Sequence, residues 1–105
     1  MGVSRSFVDA FGQTIELTAE RWLHVLEAHQ ELQAHEPLIL QTLQEPDAVA
    51  RSVHDPYVRL YYKRYPQFWH GKFLVVVVKL NHRHFILTAY ITDKIKGGAR
   101  LWPSG

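Results

Sequence analysis

Residues 57–92 read YVRLYYKRYPQFWHGKFLVVVVKLNHRHFILTAYIT, and this stretch decides the fold. It contains three runs of alternating residues, which span 57–64, 73–80 and 84–92. Successive side chains of a strand point to opposite faces of a sheet, so alternation predicts strands with one face in a core and one in water. The connections between the runs are short, which favours antiparallel pairing. The stretch therefore predicts three antiparallel strands of one sheet.

The residues before this stretch predict a hairpin, two helices and a fourth strand. Gly12 supplies a hairpin turn, Thr18 is a helix cap, and Pro37 is a favoured first-turn residue. The predicted elements are a hairpin over 7–17, a helix from Thr18 to His29 or Leu32, a helix from Pro37 to the residue before Pro46, and a strand over about 47–53. We predict one α+β domain over residues 1–105. Its N-terminal hairpin and two helices pack on one face of a four-stranded antiparallel meander sheet.

Composition narrows the class of protein. The 105 residues are 47% hydrophobic, which suits one folded domain, and the formal net charge is +2. Most lysines and arginines follow Val49, whereas most acidic residues precede it, so the second half suits an anionic ligand. The absence of cysteine excludes disulfides, thiolate metal sites and cysteine catalysis. With no export signal and no apolar run of membrane length, we expect a cytoplasmic protein that does not bind membranes.

The polar face of the predicted sheet carries cations, phenol rings and hydroxyls. Its candidate members are Arg51, Arg59, Tyr61, Lys63, Lys79, His84, Thr88, Tyr90 and Thr92. Cations bind phosphates and rings stack on bases, so the pattern is typical of a surface that binds RNA. The turn positions predict that Arg51, Arg59 and Lys79 lie side by side, in one row with Ile86. The alternative is an ordinary solvated face, because exposed strands often carry such residues.

Short motifs spread over the chain carry a family resemblance. They are FGxxIxLTxERWxHV at 11–25, His29, TLxxPD at 42–47, YY at 61–62, VVK at 77–79, TAYxT at 88–92 and IKxG at 95–98. In their order and spacing, the chain resembles the phage-type branch of the barnase–EndoU–colicin–RelE-like nuclease superfamily, from about Phe11 to Trp102. The resemblance implies a metal-independent ribonuclease whose active cleft lies on the sheet face opposite the helices. The positions that it carries over are His24, His29, Tyr61, Lys79, Thr88, Tyr90 and Thr92.

Metal-independent RNA cleavage needs a base for the 2′-hydroxyl, positive charge at the phosphate and an acid for the leaving 5′-oxygen. Arg59 and Lys79, with Arg51, are the candidates for the phosphate. The hydroxyls of Thr88 and Thr92 can donate to phosphate oxygens. The candidates for contacts to bases and backbone are Tyr61, Tyr90, Lys63 and His84.

The sequence leaves the proton-transfer residue open among three histidines. His29 lies in the apolar stripe of the first helix, so it also fits a core histidine. His24 lies roughly 140° away on the same helix, so at most one of the two can act directly. His84 is near the last hairpin turn on the basic face. A metal site is disfavoured because His82 and His84 lack a third ligand nearby, and no cofactor motif is present.

These observations predict a toxin-like or phage-related ribonuclease that acts on RNA without a cofactor. A free ribonuclease harms its host, so a neutralising protein partner is expected. The alternative is a non-catalytic RNA- or protein-binding module on the same fold. A third interpretation is a structural domain that self-associates through Phe68, Trp69 and Trp102.

Overall fold

The computed structural model describes residues 4–103, which form seven strands and two α-helices. The strands are β1 (Arg5–Val8), β2 (Thr14–Leu17), β3 (Ala48–Arg51), β4 (Val58–Arg64), β5 (Phe73–Leu80), β6 (His84–Thr92) and β7 (Arg100–Trp102). The helices are α1 (Ala19–Ala28) and α2 (Glu36–Gln44), with 3₁₀ turns at Gln30–Leu32 and Trp69–Gly71. Within residues 4–103, neither helix is long and apolar enough to cross a membrane.

The sheet is larger than the predicted one. Its strand order is β1-β2-β6-β5-β4-β3-β7, and β3 to β6 pair antiparallel in chain order. The β1–β2 hairpin joins in parallel, with Glu16 opposite Phe85, and β7 extends the other edge beside β3. The prediction of a four-stranded antiparallel meander was therefore wrong, because the sheet is mixed and has seven strands, although the α+β class fits. The sequence predicts the hairpin strands but not their pairing with β6, and β7 has only 3 residues and too little pattern of its own to predict. Both extensions form by pairing with an edge that the rest of the fold provides.

Both helices pack on one face of the sheet, which we call the first face. Thr18 caps α1 by accepting a hydrogen bond from the Arg21 N–H at 3.0 Å, and proline stands in the first turn of α2. The largest cluster of buried side chains fills the space between helices and sheet. It includes Val25, Leu32, Ile39, Leu43, Val49, Tyr61, Leu74, Val76, Val78, Ile86 and Ala89.

The opposite, second face of the sheet is also apolar over its centre. Its buried members are Ala48, Ala50, Val58, Tyr62, Val75 and Val77. The segment 93–99 lies over this patch and is tied down at Tyr62, whose hydroxyl donates to the Lys96 carbonyl oxygen at 2.8 Å and accepts from the Lys96 N–H at 3.1 Å. Gly97 sits so close that a Cβ there would be 3.1 Å from the Ala50 Cβ. The second face is therefore a covered apolar wall at β3 and β4, with its polar residues towards β6.

The register between β4 and β5 differs from the prediction by one residue. Arg51 lies opposite Arg59 as predicted, but Arg59 lies opposite Val78, and Lys79 lies opposite Val58. A one-residue shift moves every side chain of a strand to the other face. Here the shift leaves little apolar surface uncovered, because Leu74 to Val78 are buried at both parities. Alternation therefore could not select between the two registers, and the predicted row of Arg51, Arg59 and Lys79 does not exist.

An irregularity in β6 changes the direction of its first residues. Val77 lies opposite Thr88 while Val78 lies opposite Ile86, so Leu87 is an extra residue in the ladder. Such a bulge reverses the alternation on one side of it. Ile86 is consequently buried in the first-face core, and His84 lies opposite Leu80 on that side rather than on the second face.

Candidate nucleic-acid interface

Three of the predicted site residues share the second face at β6. Thr88, Tyr90 and Thr92 lie opposite Val77, Val75 and Phe73, and all three are partly exposed. We call these three residues the hydroxyl strip. The strip borders the apolar second-face cluster, since Tyr90 packs against it. A ring and two hydroxyls on an accessible strand can stack on a base and donate to phosphate oxygens.

His29 lies at the edge of the hydroxyl strip. Its ring centroid is 6.2 Å from that of Tyr90. Within residues 4–103, β2 pairs with β6 only at Phe85, so the Tyr90 end of that edge has no strand beside it. α1 packs along β6 and ends at Ala28, which brings His29 next to this edge. The His29 side chain is 32% exposed, so it remains accessible to a substrate although its ring lies beside Tyr90.

Glu31 completes this part of the site, and the sequence analysis missed it. Its Oε2 lies 3.6 Å from His29 Nδ1. A carboxylate near one ring nitrogen can orient the ring, here with Nδ1 towards Glu31 and Nε2 directed away from it. The sequence signal for Glu31 is the His-x-Glu spacing directly after α1. Outside a regular helix, side chains two residues apart can point in the same direction.

Tyr90 is a hydrogen-bond donor at neutral pH. Burial raises the pKa of Tyr90 above its ordinary value, with a smaller contribution from the nearby Tyr62. The phenol therefore keeps its proton where the strip meets solvent.

The cations considered for the second face are Lys79 on β5 and the lysines of the covering segment 93–99. Lys79 is one of them, but its ammonium pairs with the carboxylate of Asp55. This hydrogen bond from Lys79 lowers the pKa of Asp55. Lys94 and Lys96 belong to the covering segment, and within residues 4–103 neither has a carboxylate within 4.0 Å. Within the described part of the chain, the positive charge on this face that has no carboxylate partner thus includes Lys94 and Lys96 of the 93–99 segment and Arg100, which lies opposite Ala50.

Tyr61 cannot contact a substrate, contrary to the sequence prediction. It is fully buried on the first face, and its hydroxyl donates to Oδ2 of Asp9. Burial, together with this bond to Asp9, raises the pKa of Tyr61. The other oxygen of Asp9 accepts the N–H groups of Phe11 and Gln13 at 3.0 and 2.7 Å. Asp9 is thus a buried anchor of the β1–β2 turn, and Tyr61 serves the fold.

Arg59 lies on the first face as well, apart from Lys79. Its Nη1 donates to Gln13 Oε1 at 2.9 Å, and its guanidinium lies 4.7 Å from the ring centre of Phe11. Arg51 is its exposed neighbour across β3 and β4. Because the sheet separates Arg59 from Lys79, the two cannot bind one phosphate together, and the prediction that they do was wrong.

The remaining predicted residues are dispersed. His24 is exposed, with Nδ1 3.9 Å from Glu27 Oε2. Lys63 donates to the Glu45 carbonyl oxygen at 2.8 Å, which holds its ammonium at the loop between α2 and β3. The Nδ1 atom of His84 is buried and has no hydrogen-bond partner in the described part of the chain. Of the histidine candidates, His29 is the one that reaches the hydroxyl strip.

No group of three or more His, Asp or Glu side chains within residues 4–103 is arranged to hold a metal ion. Comparison of the chain with models of known protein families, with curated proteins and with solved structures gave no match. The nuclease resemblance of the sequence thus stays a prediction, and the geometry of the site is the observation that bears on function.

Proposed function

We propose that the chain is a metal-independent ribonuclease that cleaves RNA at the hydroxyl strip. The observation that carries the proposal is the contact of His29 with Tyr90, together with the carboxylate of Glu31 beside the His29 ring. A proton acceptor, a proton donor and exposed hydroxyls then adjoin one accessible strand.

The reaction would be an intramolecular transfer of the phosphodiester. Neutral His29 takes the proton of the 2′-hydroxyl, and the 2′-oxygen attacks phosphorus to form a 2′,3′-cyclic phosphate. The bond to the 5′-oxygen breaks, and that oxygen takes a proton from an acid of the site or from water. Glu31 stabilises the imidazolium that forms, in the way that carboxylates orient catalytic histidines. The hydroxyls of Thr88 and Tyr90 donate to the phosphate oxygens, and Lys94 and Lys96 supply positive charge from the covering segment.

The test is cleavage of a mixed RNA pool in the presence of EDTA. Loss of a general base typically lowers the rate by about 10²- to 10⁴-fold, and we expect this loss for His29→Ala. Glu31→Gln should lower the rate less, because it keeps the imidazole. His24→Ala tests the other helical histidine, and His54→Ala, in an exposed turn, is the matched control. Equal activity of the His29→Ala and His54→Ala proteins would contradict the proposed role of His29.

A non-catalytic RNA-binding module is the second candidate, and one observation favours it. Lys79 is neutralised by Asp55 and Arg59 lies on the other face, so the two strongest candidates for phosphate stabilisation are not at the strip. Under this alternative the protein leaves RNA intact and binds it with an affinity that falls linearly with salt on a log–log plot. If the chain cleaves RNA, a neutralising protein partner would have to cover the hydroxyl strip.

A further inference from the structure

A separate pocket opens at the end of the sheet where β2 meets the β5–β6 turn. It encloses about 320 Å³. Its lining residues are Glu16, Thr18, Arg21, Asn81, His82, Arg83, Phe85 and Ile86. Phe85 and Tyr90 are five residues apart along β6, which corresponds to roughly 15 Å. The pocket is therefore distinct from the hydroxyl strip, and the proposed ribonuclease reaction does not use it.

The pocket combines positive charge with an apolar wall. Arg21 and Arg83 outweigh the one carboxylate, Glu16, so the formal charge of the lining is positive. Asn81 and Thr18 add an amide and a hydroxyl, while Phe85 and Ile86 supply apolar surface. A volume near 300 Å³ is at the small end of the range for ligand sites. This lining suits a small ligand that has an anionic group at one end and a flat or apolar group at the other.

Arg83 has an ion-pair partner in the pocket lining, and the main chain of Arg21 is fixed at the start of α1. Arg83 pairs with Glu16, which ties the β5–β6 turn to β2 at the point where Glu16 lies opposite Phe85. A guanidinium has five N–H donors, so this pair leaves donors for a second anion. The Arg21 main chain is fixed by the N-cap bond to Thr18. Within residues 4–103, Arg21 has no carboxylate within 4.0 Å.

We infer that this pocket binds a nucleotide, with the phosphate at Arg21 and Arg83 and the base against Phe85. Guanidinium groups bind phosphate oxygens through paired hydrogen bonds, and aromatic rings stack on bases. The nucleotide can be a free nucleoside monophosphate or one unit of an RNA strand. The inference stands independently of whether the hydroxyl strip cleaves RNA.

The test is a titration of the ¹⁵N-labelled protein with adenosine 5′-monophosphate, followed by NMR. We expect saturable shifts of the amide signals of Thr18, Arg21 and Phe85, whereas any change at Tyr90 reports binding at the hydroxyl strip and is fitted separately. Adenosine, which lacks the phosphate, should bind at least about tenfold more weakly, as expected for the loss of a charge-assisted hydrogen bond. The absence of saturable shifts at these amides, or equal binding of adenosine, would overturn the inference.

Charge variants make the test specific. Arg21→Gln should weaken binding by about tenfold, and Glu16→Gln should strengthen it, because the two remove charges of opposite sign. Arg100→Gln lowers the net charge as Arg21→Gln does, but it lies in β7 at the opposite edge of the sheet, so its affinity should equal that of the parent. Equal weakening by Arg100→Gln and Arg21→Gln would show a general charge effect and reject the pocket. The spectra of the variants report directly whether each is folded.

A competition experiment identifies the source of the nucleotide. A short single-stranded RNA that displaces the monophosphate from the pocket amides indicates a subsite for the RNA strand. An RNA that leaves the monophosphate bound indicates a site for the free nucleotide. Both results support nucleotide binding, and the ribonuclease assay with His29→Ala decides the fate of the other site separately.

Discussion

Replacing Tyr61 by phenylalanine tests the buried link between β4 and the β1–β2 turn. The change removes one oxygen and leaves the ring in its place in the first-face core. Asp9 is only 4% exposed, and Tyr61 is the side chain that hydrogen-bonds its Oδ2. Its Oδ1 remains bonded to two backbone N–H groups. The substitution therefore leaves one oxygen of a buried carboxylate without its donor.

The expected loss of stability is about 2–3 kcal/mol. A hydrogen bond to a charged group contributes about 1.5–3 kcal/mol, and leaving a buried acceptor unsatisfied adds to the loss. Tyr62→Phe is the matched control, because it removes a buried hydroxyl that bonds only to the neutral backbone of Lys96. For that variant we expect about 1 kcal/mol. Urea unfolding at pH 7 measures both, provided that the slope with denaturant is unchanged.

The dependence of the free energy of unfolding on alkaline pH gives a second test of the bond between Tyr61 and Asp9. The folded-state pKa of Tyr61 is raised, so at high pH the unfolded tyrosine ionises first. Its contribution is complete below about pH 10 and is lost as pH rises from there towards the folded-state pKa. The loss has a limiting slope of about 1.4 kcal/mol per pH unit for one proton. Tyr61→Phe should make this decline shallower, although the raised pKa values of Tyr65 and Tyr90 keep part of it. A loss at pH 7 no larger than that of Tyr62→Phe, with an unchanged alkaline limb, would refute the reasoning.

Three further changes test other parts of the structure. Gly97→Ala should lower the free energy of unfolding by about 1–3 kcal/mol, because the residue has φ +113° and its Cβ would lie 3.1 Å from a neighbouring side-chain carbon. An unchanged thermal midpoint would show that segment 93–99 is not packed as described. Trp102→Phe removes the indole donor to the Pro46 carbonyl oxygen at 3.1 Å, so it should lower the free energy of unfolding by about 1 kcal/mol and speed hydrogen exchange in β7. Unaltered exchange in β7 would contradict the role of this hydrogen bond. Lys79→Ala should reduce the downward shift of the pKa of Asp55, leaving the part that comes from the Tyr57 backbone N–H, and NMR titration can follow the change. In the parent, the contribution of Asp55 to stability is present above its unfolded pKa near 4 and is lost as pH falls through the lowered folded value; an unshifted Asp55 in both proteins would contradict the ion pair.

The candidate site shows where sequence reasoning succeeds and where it fails. Thr88, Tyr90 and Thr92 could be grouped from the sequence, because they alternate within one strand on the same side of the bulge. His29 was a candidate with two interpretations, and its position beside Tyr90 depends on where α1 ends relative to an open strand edge. Glu31 and the covering segment 93–99 join the site through contacts between distant parts of the chain, which a strand pattern does not contain.

The sequence by itself determined the local elements of this protein. Thr18 begins α1, proline stands in the first turn of α2, and the alternation in 57–92 predicts β4, β5 and β6, because caps, turns and alternation act between residues close in the chain. Only the tertiary structure decided which way those strands face. β5 has apolar residues on both faces and is buried on both, so the pattern of apolar residues could not select its register. The bulge at Leu87 then reversed the direction of the side chains at the start of β6. The first of these one-residue choices separated Arg59 from Lys79, and the second moved His84 off the second face. Both depend on the packing of the helices on one face and of segment 93–99 on the other.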